Sequence, residues 1–229
     1  WSRGLGDVYK RQNQTCSEKH VLWRHDVDIS LHRAHRLAKI EASLGVLATY
    51  FINPHSIYYN IFEPDSQKII HEILSLGHQI GLHFDAQAFP NESWDYSILA
   101  KAIEKEILLL SYLISPDLIK AVSWHNPDAT GLLDFDFDEI SGLRNAYSKA
   151  IRENYTYCSD SNGYWRHQSM FKIINDGDCY LHLLTHPEWW VPEGLSPSKR
   201  IDRAILGRAQ KARKDYDDGL KLHGRINLM

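Results

Sequence analysis

Arg24-His25-Asp26-Val27-Asp28-Ile29-Ser30 decides the fold, because an apolar run that begins near residue 21 ends here in two acids and a helical pattern follows at once. Side chains alternate along a strand, so Asp26 and Asp28 share one face. Two carboxylates at the carboxyl end of a strand can divide hydrolytic work, one binding a metal and the other accepting a proton from water. Acidic residues also favour a helix N-terminus, and on this motif alone that explanation is equally good.

Strand-like and helix-like segments alternate outward from this stretch. Short apolar runs typical of strands cover residues 21–28, 47–53, 78–85, 121–125 and 180–185. Amphipathic segments with helical spacing cover residues 30–45, 64–77 and 95–113. The alternation predicts an α/β fold with one mostly parallel sheet or barrel. A basic segment at residues 198–223 predicts a covering helix near the end of the chain.

Three later strands end in histidine. Alternation directs His83 away from the apolar face of its strand, and it puts His125 on the face opposite Trp124. His186 ends the last predicted strand, just before Pro187. Ligands and catalytic groups of parallel α/β folds collect at the carboxyl ends of strands. Four such ends bearing Asp or His therefore predict one site at one mouth of the sheet.

The bulk properties restrict the function classes. The chain has 229 residues, enough for one sizeable domain, and its net charge of −3 argues against nucleic-acid binding. No run reaches the roughly 18 apolar residues of a membrane-spanning helix. The three cysteines, Cys16, Cys158 and Cys179, are odd in number and widely spaced, so we expect neither a thiolate zinc site nor a disulfide framework. A reducing, cytoplasmic location is the corresponding expectation.

The opening segment, residues 1–12, reads WSRGLGDVYKRQ and has no initiator Met. It resembles a translated sequencing-adapter segment, so we expect it to be non-native. We therefore place a single domain at residues 20–229, including the covering helix.

Taken in order, these motifs resemble those of the NodB-like polysaccharide deacetylases, carbohydrate esterase family four. RHDVDIS is similar to the family's TFDDG element, and Gly77-His78-Gln79-Ile80-Gly81-Leu82-His83 to its GHEIGxH element. The matching segments lie at residues 24–30, 48–51, 77–83, 123–127, 160–165 and 183–186. The resemblance implies a distorted (β/α) barrel in a single domain. It also implies a bacterial hydrolase of carbohydrate metabolism or glycan biosynthesis.

The resemblance also implies residue roles. Asp26 corresponds to the catalytic base, Asp28 to a metal ligand and His186 to the general acid. The cleft residues expected to contact a carbohydrate substrate are Trp124, Asp160, Trp165 and Arg166.

The metal site departs from the family pattern at one position. The family's HxxxH motif carries two ligating histidines, yet from His83 the second falls on Gln87. A catalytic divalent metal generally has three protein ligands and an open position, so Asp28 and His83 need a partner. His125 is our candidate because its strand phase directs it into the same cavity. Gln87 is the rival, although an amide oxygen is a poor ligand for zinc, the expected metal.

The predicted function is metal-dependent removal of an N-acetyl group from an amino sugar of a glycan or glycan precursor. Two alternatives remain open at this stage. One is hydrolysis of another amide or C–N bond. The other is a catalytically inactive, glycan-binding domain, which the missing second histidine would explain.

Overall fold

The computed structural model describes residues 2–3, 19–89 and 93–228. The strands of this part of the chain are β1 (Ser2–Arg3), β2 (His20–Val27), β3 (Thr49–Ile52), β4 (Gln79–Phe84), β5 (Ile119–Trp124), β6 (Glu139–Ile140), β7 (Leu143–Asn145), β8 (Thr156–Ser159) and β9 (Tyr180–Thr185). The helices are α1 (Leu31–Ser43), α2 (Pro64–Ser75), α3 (Tyr96–Ser111), α4 (Pro127–Thr130), α5 (Lys149–Asn154), α6 (Met170–Asp176) and α7 (Pro197–Leu222). The helix expected near the end of the chain is α7.

The strands form one sheet in the order β6-β7-β5-β4-β3-β2-β9-β8, and β1 also pairs with β2. All recorded pairings are parallel except that of β6 with β7. Strands β2 to β5 succeed one another in both sequence and space, with helices in the connections. The expected α/β fold built on one mostly parallel sheet is therefore confirmed. Because β2, β4, β5 and β9 run in the same direction, their carboxyl ends open at the same mouth.

Helix α1 begins where the sequence predicts. The Ser30 side chain accepts a hydrogen bond from the backbone N–H of Arg33 (3.3 Å), which caps the helix directly after the two acids. Leu31, Ala34 and Ala38 are buried at helical spacing and pack in the main core against the sheet. This cap fixes the direction in which the chain leaves the site.

The two faces of β2 carry different polar networks. Arg24 and Asp26 point to the inside of the sheet, whereas His25 points outward to α1, where its Nε2 lies 2.7 Å from Glu41 Oε1. The hydroxyl of Tyr50 also donates to Glu41 (2.7 Å). His25 thus lies on the face of β2 opposite the one that carries Asp26, and its network ties α1 to that outer face.

On the inside of the sheet, the ring of Phe51 packs against the small residues Gly81 and Ala121. A Cβ on Gly81 would lie 2.5 Å from the Phe51 ring and 3.0 Å from the Ala121 carbonyl oxygen. Phe51, Ala121 and Leu22 form a separate buried cluster there. Small residues on β4 and β5 thus make room for Phe51 beneath the polar strand ends.

Three further expectations concern the cysteines, the opening segment of the chain and membrane-spanning helices. Cys158 is a buried free thiol and Cys179 is disulfide-bonded, a bond that the odd, widely spaced set of cysteines did not predict. Within residues 1–12 only residues 2–3 are described, and these form β1; the remainder of that segment lies outside the described residues. None of the helices described has both the length and the apolar character needed to cross a membrane.

Candidate metal centre

Four predicted side chains meet at the mouth formed by the carboxyl ends of the strands. Asp28 follows β2, His83 lies near the end of β4, His125 follows β5 and His186 follows β9. Their positions in the chain are far apart, and the parallel register of the strands brings them together. The structure therefore places these four residues in one cluster.

Asp28, His83 and His125 present one ligand atom each to a common point. Asp28 Oδ1 lies 3.1 Å from His83 Nε2 and 3.3 Å from His125 Nδ1, and the two nitrogens are 3.1 Å apart. The three atoms belong to a group of His and Asp side chains able to hold a metal ion. Asp28 Oδ1 is itself buried and, within the described part of the chain, has no hydrogen-bond partner of suitable geometry. A buried, unsatisfied carboxylate oxygen between two imidazoles is typical of a cation site.

These separations agree with a tetrahedral cation site. Bonds of about 2.0–2.1 Å to N and O ligands in tetrahedral geometry put neighbouring ligand atoms about 3.3 Å apart. Two imidazoles and one carboxylate also form the nitrogen and oxygen donor set typical of catalytic zinc. The residues present thus fit the divalent metal that the sequence motifs imply, and they leave one ligand position for water or substrate.

Gln87 lies in a short turn after β4, and its side chain is exposed. Its backbone N–H donates to Asp85 Oδ1 (3.0 Å), so Asp85 caps this turn. The geometry favours His125 over Gln87 as the third ligand, because His125 Nδ1 already lies beside Asp28 and His83. The ligand roles themselves stay a prediction.

The charges of this trio suit a cation. Burial raises the pKa of Asp28, but the adjacent His83, His125 and His186 outweigh burial and hold that pKa well below its usual range. Burial lowers the pKa of His125, yet its close contact with the negatively charged Asp28 raises it overall. Asp28 is therefore ionised at neutral pH, and its negative charge between the two imidazoles suits a cation.

Asp26 lies deeper than Asp28, on the other side of the His83 ring. The Ser123 hydroxyl donates to its two oxygens (3.2 and 3.4 Å), and His83 Nδ1 lies 3.8 Å from Asp26 Oδ2. His83 Nδ1 is buried, and none of the residues that the structure describes forms a hydrogen bond with it. Asp26 is thus placed for either of two roles, as the proton acceptor of the site or as the carboxylate that orients the His83 ring.

Arg24 is a site residue that the sequence interpretation missed. It is fully buried, its Nη2 lies 3.7 Å from Asp26 Oδ2, and its Nη1 donates to the Ser123 hydroxyl (3.0 Å). It also donates to the Tyr147 hydroxyl (2.9 Å) and packs against the Tyr147 ring. The available signal was strand period two, which puts Arg24 on the face of Asp26.

His186 is held by Asp160. The Asp160 carboxylate accepts hydrogen bonds from the His186 backbone N–H (3.0 Å), from His186 Nδ1 (2.7 Å) and from Trp190 Nε1 (2.7 Å). His186 Nε2 is then free to face the metal ligands, at 3.8 Å from Asp28 Oδ2. Burial lowers the pKa of His186, but the hydrogen bond to Asp160 and the charges of Asp28 and Glu188 raise it to about 10. His186 therefore carries a proton at neutral pH.

The four expected cleft residues take different places. Trp124 is only 1% exposed and packs edge-on against Phe84 in the core, so its expected contact with substrate is wrong. Asp160 is buried behind His186, where it orients that ring instead of lining the cleft. Trp165 is half-buried and lies edge-on to Trp190, and Arg166 is exposed; contact of these two with substrate stays a prediction.

Glu188 is the second residue that the sequence interpretation missed. It lies in the short turn after His186 and is 5% exposed, and no residue in the described ranges hydrogen-bonds to its Oε2. Burial raises the pKa of Glu188, and the nearby charge of Asp28 adds to that effect against the opposing charge of His186, to about 8. The predicted fifth motif ended at His186, so its sequence gave no reason to look two residues further.

Removing the carboxylate beside His186 should change the pH dependence of the site. Because the folded pKa of His186 exceeds its ordinary value of 6.5, the protonated ring stabilises the fold below about pH 6.5, and this contribution is lost as pH rises through about 10. Asp160→Asn removes a negative partner, so it should lower that pKa. We expect the alkaline limb of kcat, and of thermal stability, to move to lower pH. Asp117→Asn, at an exposed position before β5, should leave both profiles in place; equal profiles for Asp160→Asn and wild type would contradict the assigned contact.

Comparison with known proteins gives similarity at low identity. No protein-family model matches the chain, and no curated protein is similar to it in sequence. A family 4 carbohydrate esterase from Bacillus anthracis aligns at 12% identity with a TM-score of 0.47, over 86% of this chain and 79% of that one. The Xyl-CE4 domain of a multidomain xylanase from the hindgut metagenome of Trinervitermes trinervoides aligns at 16% identity with a TM-score of 0.44, over 92% and 87%.

A third similar structure is a wild-type CE4 family pseudoenzyme from Bacillus anthracis, at 11% identity and a TM-score of 0.44, over 86% of this chain and 63% of that one. All three are CE4 proteins, the family whose motifs this sequence resembles. The chain spans less than two thirds of the length of that pseudoenzyme. At these identities and TM-scores, the chemistry of the site rests on the geometry of its own residues.

Proposed function

We propose that this chain is a metal-dependent hydrolase that removes an N-acetyl group from an amino sugar of a glycan or glycan precursor. The observation that supports this most is the convergence of Asp28 Oδ1, His83 Nε2 and His125 Nδ1 at 3.1–3.3 Å from one another. The cluster lies beside a carboxylate able to accept a proton and a histidine able to donate one. Such a set is suited to amide hydrolysis and has no evident structural purpose.

Each residue has a separate task in the proposed reaction. Asp28, His83 and His125 would hold the divalent cation, with zinc as the expected metal. When bound, that cation supplies a Lewis acid, which polarises a carbonyl group and makes water more acidic. Asp26 accepts the proton that the attacking water loses, and Arg24 and Ser123 hold its carboxylate in place. His186, oriented by Asp160, donates its proton to the leaving amine, so free acetate and the amino sugar are the products.

Two alternatives remain distinct outcomes of the test. The same residues would also serve the hydrolysis of another amide or C–N bond. The proposed metal, base and acid act on the scissile amide group alone, whatever molecule carries it. An inactive, glycan-binding domain would bind sugar without releasing acetate, and the glutamine at position 87 is the feature that favours it.

Release of acetate from a panel of N-acetylated sugars, with and without added zinc, separates these functions. We expect zinc-dependent acetate release from at least one N-acetylated sugar, and we expect a chelator to stop it. The matched comparison is a panel of simple cyclic and linear amides under the same conditions. Turnover of the simple amides alone would support the broader amidase, and sugar binding without any turnover in zinc-loaded protein would contradict the enzyme proposal.

A further inference from the structure

A cavity of about 300 Å³ adjoins the candidate metal centre. It lies between the N-termini of α1 and α2 on one side and helix α7 on the other. Its lining includes Ile29, the residue after Asp28, and Glu188, two residues after His186. A molecule in this cavity would therefore contact residues that lie one position after Asp28 and two positions after His186 in the chain.

The cavity is rich in positive charge. Five basic side chains line it, namely Arg33, Arg200, Arg203, Arg208 and Lys211. Two of them are already neutralised, because Arg208 donates to both oxygens of Glu63 (2.7 and 2.5 Å) and Lys211 lies 3.4 Å from Asp65. A third, Arg203, lies 3.2 Å from Glu193 in a largely exposed pair, which contributes little neutralisation.

Arg33 and Arg200 lack a close ion-pair partner among the described residues. Within residues 19–89 and 93–228, neither has a carboxylate at ion-pair distance. Arg200 donates only to neutral groups, the carbonyl oxygens of Leu195 (2.8 Å) and Trp189. Partial burial and the like charge of Arg203 lower the pKa of Arg33 and outweigh the opposing charge of Glu193. Arginines gathered with this little compensation are typical of phosphate recognition.

Backbone polarity adds to the side-chain charge. Leu31 and His32, the first two residues of the 13-residue helix α1, line the cavity, as does Ser66 near the start of α2. The first N–H groups of a helix have no intrahelical acceptor, and the helix dipole favours an anion there. Two helix N-termini thus face the same space, which suits an anionic group.

Glu188 is an independent sign of a ligand. Its side chain lines the cavity, is almost completely buried, and leaves Oε2 without a hydrogen-bond partner among the described residues. Leaving such a buried oxygen unsatisfied costs free energy, and a ligand hydroxyl would satisfy it. A ligand with a hydroxyl group near Glu188 and an anionic group near the arginines would match both features of the cavity.

We propose that this cavity binds the phosphate group of a phosphorylated N-acetylated sugar, with a sugar hydroxyl on Glu188 and the phosphate on Arg33, Arg200 and the start of α1. The inference rests on the proposed function, since it names the substrate class of that same site. It makes the substrate a phosphate ester of an amino sugar, rather than a neutral polymer.

Calorimetric binding of three probes tests this proposal without any need for turnover. The probes are N-acetylglucosamine 1-phosphate, uridine diphosphate N-acetylglucosamine and uncharged N-acetylglucosamine. We expect at least one phosphorylated probe to bind about tenfold or more tightly than the uncharged sugar, because charge-assisted hydrogen bonds to arginine are strong. Preference between the two phosphorylated probes identifies a monophosphate or a nucleotide-linked diphosphate as the source. Equal binding of charged and uncharged probes would overturn the proposal.

Matched variants on one helix locate the binding. Arg33→Gln should weaken binding of the preferred phosphorylated probe about tenfold, whereas Arg36→Gln, an exposed arginine of α1 that does not line the cavity, should leave it unchanged. Arg200→Gln provides the same test from α7. If Arg33→Gln and Arg36→Gln weakened binding of the phosphorylated probe equally, the binding would reflect general charge attraction, and the proposal would be overturned.

Acetate release measured in parallel separates the two proposals. Tight binding of a phosphorylated probe without acetate release in zinc-loaded protein would leave the cavity assignment standing and remove the proposed function. Acetate release without preference for phosphorylated sugars, together with equal binding of the charged and uncharged probes, would leave the proposed function standing and remove the cavity assignment.

Discussion

His125→Ala should lose the bound metal and the hydrolytic activity together. The imidazole supplies one of three converging ligand atoms, 3.1 Å from His83 Nε2 and 3.3 Å from Asp28 Oδ1. Loss of a partner outside the coordination sphere already costs about 10–100-fold in metal affinity, so loss of a ligand should exceed about 100-fold. Competition with a chromogenic chelator measures the affinity, and elemental analysis measures the metal content. The His125 side chain is 22% exposed, so the fold should tolerate its truncation.

The matched control is His71→Ala, which removes an exposed imidazole on α2 and should keep the metal and the activity. Gln87→His provides the opposite change at the rival position. It should strengthen binding if the new imidazole reaches the cation, but it should not be required for binding. Full metal content in His125→Ala would exclude His125 as a ligand and favour Gln87.

Asp26→Asn should reduce kcat by about 10²–10⁴-fold while metal content stays near that of wild type, because general base catalysis contributes on that scale. The amide keeps the size of the side chain and its contact with Ser123, but it cannot accept a proton from water. Steady-state kinetics with zinc-loaded protein, together with elemental analysis, gives both quantities. Asp85→Asn, which changes the nearby carboxylate that caps the turn after β4, should leave kcat largely unaffected.

The same variant separates the two roles that the structure leaves for Asp26. If its main task is to orient His83, whose Nδ1 lies 3.8 Å away, metal affinity should fall about 10–100-fold and excess zinc should restore most of kcat. If Asp26 is the base, excess zinc should restore nothing. Unchanged kcat and unchanged metal affinity would contradict both roles.

Strand alternation and parallel topology account for most of what could be predicted. Period two put Asp28, His83 and His125 on inward faces, and parallel strands then brought their ends to one mouth. The same rule placed Trp124 opposite Ser123 and His125, so its burial in the core was already implied by its phase. The expected contact of Trp124 with substrate was wrong because it relied on the neighbouring position of Trp124 in the sequence. In a strand, the neighbour of a site residue points to the opposite face.

Features that depend on long-range packing could not be predicted in this way. Asp160 was expected in the cleft, yet its carboxylate turns back to His186, 26 residues later in the chain. Glu188 becomes significant only because burial leaves its oxygen unsatisfied. Helix α7 reads as a solvated covering helix, and only its packing near the start of α1 makes Arg200 part of a cavity. Local periodicity carries no information about such distant neighbours.

Anomalous diffraction from zinc-loaded crystals, with data collected on both sides of the zinc absorption edge, tests most directly whether the proposed centre binds metal. We expect one strong peak about 2.0–2.2 Å from Asp28 Oδ1, His83 Nε2 and His125 Nδ1, with a fourth position open to water or substrate. A peak bonded to Gln87 instead of His125, or zinc-loaded protein without any peak between these three atoms, would contradict the site described here.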